Sequence, residues 1–405
     1  MFLTEYEQKM LDGKLGKGIA KAMEVQVALG EAFGAERMVE ITRAHEAFGA
    51  TEANAWFLEQ FSKLDARCQV PTTCNPMFDA DYLESVGKPV FKEDRMLLQR
   101  TGEAKRRLGI IPTDNCTPYL QDNVPRFGEI VAFAESSATP YVNSVCGARS
   151  HREAAHSAVA AAITGRVPLY GTLLDENRKG GILVKVEATL RDDFDYHLLG
   201  YIIGKEAGTK IPVFTGMSSL KPSPEELTAL GAQLATGGAV GMYHIVGVTP
   251  EAPDLEAAFG GKTPLKEVTV TDADLQRAQK PLSDEEGKID FVMFGCPHYT
   301  LSQVRDVARL LEGKKLKKGV ELWILSSSST REYAKRMGYL EIIQKAGGHI
   351  IPNTCTDQVC WERLYRGKKG IVDSFKTAYY TRRRGVQFIL RRRSECIEAG
   401  LRGGC

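Results

Sequence analysis

Apolar positions along the chain follow two rhythms, helical at first and then increasingly strand-like from about residue 67. Thr4-Glu5-Tyr6-Glu7 has the form of a capping box, in which a threonine oxygen and a glutamate three residues on satisfy free N–H groups of a first helical turn. The pattern predicts a helical start interrupted at Gly13, Gly16 and Gly18 and running to about Ala35, then a further helix over residues 52–64. The segments RCQVPTTCNP and RRLGIIPTDNCTPYL are short apolar runs that break into proline, threonine and asparagine, which reads as strands delivering polar loops. Residues 129–133 are expected to form another strand, 135–140 a loop, and 151–165 an alanine-rich helix.

The middle alternates in the same way, with ILVKVEATL, IPVFTG and GMYHIVGV as strands and HLLGYIIGKEAG and SPEELTALGAQLATGG as helices. After an expected loop, TPEAPDLEAAFGGKTP, the alternation is clearest: IDFVMFG, VELWILS and HIIPN as strands, separated by helices over 302–312 and 330–347. Strands alternating with helices imply a parallel sheet covered on both faces. The expected organisation is a helical N-terminal region over 1–66, an α/β region over 67–285 and a doubly wound α/β domain over 286–405.

Composition narrows the class. The 405 residues carry 53 Lys and Arg against 51 Asp and Glu, a net charge of +2, with 43% hydrophobic residues. That balance describes a globular chain and argues against nucleic acid as a partner, because phosphate binding needs a surplus of positive charge on one face. No apolar run approaches the ~20 residues of a membrane span, and the acidic N-terminus does not resemble an export signal, so the expected location is cytoplasmic, with no membrane partner. Nine cysteines, an odd number, do not suggest a disulfide framework in such a chain.

Position separates those cysteines. Cys296 follows the strand IDFVMFG, Cys355 follows HIIPN, and Cys116 sits in the loop after RRLGIIPT. Ligands of open parallel sheets bind at such strand ends. Buried packing thiols and ligand or nucleophile thiols both remain open readings from position alone. Three thiolates presented from separate loops suit an iron–sulfur cluster, which would then keep one iron without a protein ligand and available as a Lewis acid. Cys355 and Cys360 lack a second close pair to complete a zinc site, and Cys68, Cys74, Cys146, Cys396 and Cys405 are assigned to packing or exposure.

Several segments together resemble the aconitase X family: Asn115-Cys116-Thr117-Pro118-Tyr119-Leu120, Glu135-Ser136-Ser137-Ala138, Asn143-Ser144-Val145, Gly147-Ala148-Arg149, Gly247-Val248-Thr249-Pro250-Glu251-Ala252, Phe294-Gly295-Cys296-Pro297-His298 and Asn353-Thr354-Cys355. They occur in order over most of the chain. The resemblance implies an aconitase-like, multi-domain α/β arrangement of parallel and mixed sheets flanked by helices, lacking the swivel domain. It also implies a hydro-lyase with an iron–sulfur cluster ([4Fe-4S], [3Fe-4S] or [2Fe-2S]) on Cys116, Cys296 and Cys355. The implied substrate is a small hydroxy acid of the cis-3-hydroxyproline kind, with phosphomevalonate as the alternative. By resemblance, the loop Pro71-Thr72-Thr73-Cys74-Asn75-Pro76 supplies Asn75 and Pro76 to the substrate, Asn143 and Ser144 join them, and Ser374-Phe375-Lys376 supplies Lys376. The family's base is a serine on a small swivelling domain, fused or separate; this chain ends at Cys405 without room for it, so a small subunit is the expected partner.

Other residues complete the expected site. His45 belongs to a family-like Ala-His pair and Arg149 has the planar fork that holds carboxylates, so both are expected at the substrate. Ser137 and the run Ser326 to Ser329 are the internal alternatives to a partner's base. His298, two positions past Cys296, is the best placed of the other histidines. The sequence departs from the family at His45 to Ala50, at Cys146, after Cys355, and in the basic stretch Thr381-Arg382-Arg383-Arg384, which suggests a divergent branch. Two other classes compete: a cluster-binding protein that has lost the reaction, and a redox protein using Cys355 and Cys360 as a dithiol.

Overall fold

The computed structural model describes residues 1–280 and 283–405. Three parallel sheets organise them. The first runs Thr72–Cys74, Ala44–Glu46, Ile130–Phe133, Arg149–Ser150, and the second runs Lys266–Val270, Ile182–Val186, Pro212–Thr215, His244–Ile245. The third has five strands in the order Gly348–Pro352, Glu321–Ser326, Phe291–Phe294, Lys369–Val372, Gln387–Leu390. A short antiparallel pair, Met38–Glu40 with Arg166–Pro168, lies apart.

Alternation along the third sheet explains why it is covered on both sides. Phe291, Met293, Trp323 and Leu325 join the main core, whereas Val292, Phe294, Leu322 and Ile324 join a separate core on the opposite face. A parallel sheet buried on both faces is the doubly wound arrangement, and its strand order reverses beside Phe291–Phe294, where the crevice at the strand ends opens.

The capping box at Thr4 is present and starts the helix Glu5–Leu11; a second helix, Lys17–Ala32, follows. Gly18 lies inside that second helix instead of interrupting it, because a side chain there would strike Ala66. The expected helix over 330–347 is two helices, Ser328–Arg336 and Tyr339–Lys345, divided where Gly338 adopts φ +78°. RRLGIIPT is not a strand: its first residues end the helix Lys92–Leu108, and Ile111 makes a single bridge to Thr73. The expected loop before residue 266 contains the helix Leu255–Phe259. No helix among the described residues is long and apolar enough to cross a membrane.

Burial has a consequence for acid stability. Burial holds all seven histidines below the ordinary imidazole range, His45, His151 and His197 to about 4. Those held at about 4 stay neutral in the fold but take a proton from about pH 6.5 downward when unfolded, so stability falls as pH drops from 6.5 toward 4. Each of those three contributes ~1.4 kcal/mol per pH unit in that window. Glu153 and Asp373, raised by burial to about 7, keep their protons in the fold and oppose part of the loss. The thermal midpoint should therefore be lower at pH 5 than at pH 7, and an unchanged or higher midpoint by circular dichroism would contradict this account.

Candidate active site

Cys296 and Cys355, at strand ends, and Cys116, in a loop that no strand precedes, meet in one cavity of about 540 Å³, together with Asn75, Pro76, Glu135, Ser136, His298 and Lys376. Two clefts of about 590 and 690 Å³ lie elsewhere and contain no cysteine. Local backbone chemistry explains how each thiol is presented. Gly295, with φ +111°, allows the strand Phe291–Phe294 to turn into Cys296; a Cβ there would sit 2.3 Å from the Leu325 carbonyl oxygen, so no other residue fits. The Cys355 N–H donates to the Met77 carbonyl at 3.0 Å, and the Asp79 N–H donates to Thr354 Oγ1 at 3.0 Å, which ties the first sheet's loop to the third sheet's. Cys116 lies in the loop fixed by the Asn115 N–H on the Cys74 carbonyl at 3.0 Å.

Donors surround the sulfurs. The His298 N–H donates to Cys116 Sγ at 3.2 Å and the Asp357 N–H to Cys355 Sγ at 3.4 Å. Thr356 and Thr377 lie close enough to Cys296 to favour its thiolate. Burial nevertheless pushes all three thiols up, Cys355 to about 12.

At the cavity's inner end, Lys376 Nζ donates to Glu135 Oε1 at 2.7 Å. Burial alone would push the Glu135 carboxyl up, but the ammonium and hydrogen bonds from the Ser137 N–H and Asn75 outweigh it and hold the group at about 2. The same carboxylate keeps Lys376 charged despite burial. Ser374 caps the helix Phe375–Thr381 that carries Lys376 and donates its hydroxyl to the Cys296 carbonyl. Asn75 Nδ2 donates to Glu135 Oε2 at 3.0 Å, so its oxygen faces His45 Nε2 at 2.9 Å. The proton of this neutral imidazole therefore resides on Nε2, and Nδ1 accepts from Thr73 at 2.8 Å.

Other expected residues lie elsewhere. His45 is fully buried behind Asn75 and positions it, instead of lining the cavity. Asn143, expected at the substrate, spends its amide on Ser150 and Gly241; Ser144 accepts from the Tyr243 N–H; and Arg149 is taken by the Leu173 carbonyl and Asp175. All three are outside the cavity because their polar atoms hold neighbouring backbone together. Ser137 is 0% exposed, with its hydroxyl within 3.5 Å of Glu135, the Cys116 carbonyl and Tyr119, so it too sits behind the cavity wall. Among Ser326 to Ser329, Ser327 caps a helix and none lines the cavity. Cys360 packs in the main core with Trp361. Sequence reasoning assigned no role to Glu135, although an acidic residue just past the strand Ile130–Phe133 is a usable signal.

Three thiols and a buried ion pair gather in one cavity beside the carboxyl ends of parallel strands, where ligands of such sheets bind. Comparison with known proteins identifies its class. The aconitase X first, second and third domains match residues 1–176, 180–280 and 289–402. The phosphomevalonate dehydratase large subunit of Thermococcus kodakarensis is 38% identical over 94% of this chain and 95% of that one. The cis-3-hydroxy-L-proline dehydratase of Pseudomonas aeruginosa is 36% identical over 87% of this chain and 61% of that protein. The crystal structure of Thermococcus kodakaraensis aconitase X in its holo-form superposes with a TM-score of 0.88 at 36% identity, covering 99% of this chain and 100% of that one. The chain belongs to the aconitase X family and is a hydro-lyase.

Proposed function

We propose that this chain removes water from a small hydroxy acid at an iron–sulfur cluster held by Cys116, Cys296 and Cys355, with a separate small subunit supplying the general base. The convergence of three thiols, from loops far apart in sequence, on one cavity carries the reading. Among the described residues no three His, Cys, Asp or Glu side chains gather around a single ion. Separately mounted thiols, two of them accepting N–H bonds at sulfur, suit a cluster several ångströms wide. When bound, a cluster with three protein thiolates offers an open iron as a Lewis acid toward the leaving hydroxyl.

The chain's own residues do the positioning. Lys376, held charged by Glu135, faces the cavity to take the substrate carboxylate, and Asn75, fixed by His45, presents its remaining amide capacity beside it. Glu135, held at about 2, is too weak a base to remove a proton beside a carboxylate, which supports a base supplied from outside.

The substrate we favour is a phosphorylated hydroxy acid of the phosphomevalonate kind, because relatives carrying that name match nearly end to end. This reverses the order suggested by sequence alone. cis-3-Hydroxy-L-proline is the second reading, supported by the Pseudomonas aeruginosa relative. We place the enzyme in the cytoplasm, where its nine free thiols stay reduced.

The isolated chain, reconstituted anaerobically with iron and sulfide, should turn over at least ~100-fold more slowly than the same chain with a small subunit of roughly 130 to 150 residues, one ordinary small domain. Turnover by substrate-loss assay and iron and sulfide analysis check this together. Full turnover by the isolated chain, abolished by Ser137→Ala, would place the base in this sequence.

A further inference from the structure

The charges at the two ends of the active cavity are unequal. At the inner end Lys376 is balanced by Glu135. At the mouth three guanidiniums meet two carboxylates: Arg383 and Arg384 share Asp357, and Arg384 and Arg366 share Glu362, which leaves one positive charge in excess. Arg383 and Arg384 are not equivalent. Arg384 is spent: Nε and Nη2 bond Asp357 at 2.9 Å and Nη1 bonds Glu362 at 3.3 Å. Arg383 gives Nη2 alone to Asp357, and its side chain is 63% exposed. A guanidinium carries five N–H donors, so most of this planar fork remains available to a ligand.

Spacing places that fork in line with the reacting end. Lys376, Tyr380, Arg383 and Arg384 recur at i, i+4, i+7 and i+8 along the helix Phe375–Thr381 and the turn that follows, and all four line the cavity. Seven residues of helical rise put the backbones of Lys376 and Arg383 about 10 Å apart. The lining also includes Phe48, Ala50 and Val359, which carry no charge. A ligand that uses both Lys376 and Arg383 carries two anionic groups.

We infer that Arg383 forms an anion subsite at the cavity mouth that takes the distal phosphate of the substrate, the group farthest from the reacting carbon. The inference rests on the dehydratase reading and names the feature that selects among hydroxy acids. A zwitterionic ring acid has one carboxylate and no second anion to offer Arg383, whereas a chain acid with a terminal phosphate has an anion for each cation.

The test uses the iron-reconstituted chain with its small subunit and inorganic phosphate as the probe, titrated by calorimetry. Arg383→Gln should weaken phosphate binding about tenfold, and raise KM for the phosphorylated hydroxy acid by a similar factor, with kcat within about threefold. KM for the unphosphorylated counterpart should not move. Asp357→Asn, which frees Arg383 from its partner, should tighten phosphate binding. Arg382→Gln removes the same charge from a residue that does not line the cavity and should leave phosphate binding and both KM values as they are. Equal loss with both substrates, or weaker phosphate binding in Asp357→Asn, would mean the ion pair only holds the loop and would overturn the subsite. Absence of turnover in the unaltered enzyme would instead sink the dehydratase reading, while the phosphate titration would still decide the role of Arg383.

Discussion

Cys116→Ser, Cys296→Ser and Cys355→Ser should each remove visible absorbance and dehydration together, with kcat/KM falling by at least ~100-fold, about 2.7 kcal/mol of transition-state stabilisation. A hydroxyl is a hard donor that poorly replaces a soft thiolate at iron. The loss should be specific to the cavity. Cys405 is exposed and Cys68 packs between two small cores, so serine at either position should leave absorbance and turnover nearly intact. Cys360→Ser is the discriminating control, because it buries a hydroxyl among Trp361 and its neighbours. It should lower the thermal midpoint, by an energy of ~1 to 3 kcal/mol, without removing the absorbance. If Cys360→Ser removes the absorbance as completely as Cys355→Ser does, the assignment of three ligands is wrong and the dithiol reading of Cys355 and Cys360 returns.

What the sequence revealed depended on whether an element's inward face was apolar. The third sheet was legible because FVMF and ELWILS are apolar on both faces, as a doubly wound sheet demands. The helix Lys92–Leu108 was not, since its buried positions include Asp94, Thr101 and Lys105, and Lys105 is held inside by Glu46 at 2.7 Å. A polar inward face carries no hydrophobic period to read. The strand Lys266–Val270 was missed for a related reason: it sits at the edge of its sheet with Lys266, Glu267 and Thr269 exposed.

The site divides along the same line. Cys296 and Cys355 are visible in the sequence because the strand before each and the loop after it leave a local pattern, whereas Cys116 follows no strand and shows only as a thiol in a polar loop. Asn143, Ser144 and Arg149 look the same in sequence as substrate-binding residues would; only the positions of Gly241, Tyr243 and Asp175 reveal that their polar atoms are already committed. Glu135 and Lys376 are 241 positions apart, and no spacing rule connects residues at that distance.

That pair gives the second large effect. Glu135→Gln leaves the Lys376 ammonium buried without its counter-charge, and Lys376→Met leaves the Glu135 carboxylate in the same state. Breaking one partner of a buried pair costs about 3 to 5 kcal/mol, so each single variant should lose thermal stability as well as activity. The double variant Glu135→Gln with Lys376→Met removes both charges and should recover much of the stability. It should not recover activity if Lys376 binds the substrate as proposed, because the cavity then lacks the ammonium for the substrate carboxylate. Thermal midpoints and kcat/KM measured on all four proteins separate the two roles: stability restored with kcat/KM still depressed by about 100-fold places Lys376 at the substrate. Activity returning in step with stability would show that the pair holds the loops around the cysteines and touches no reacting group.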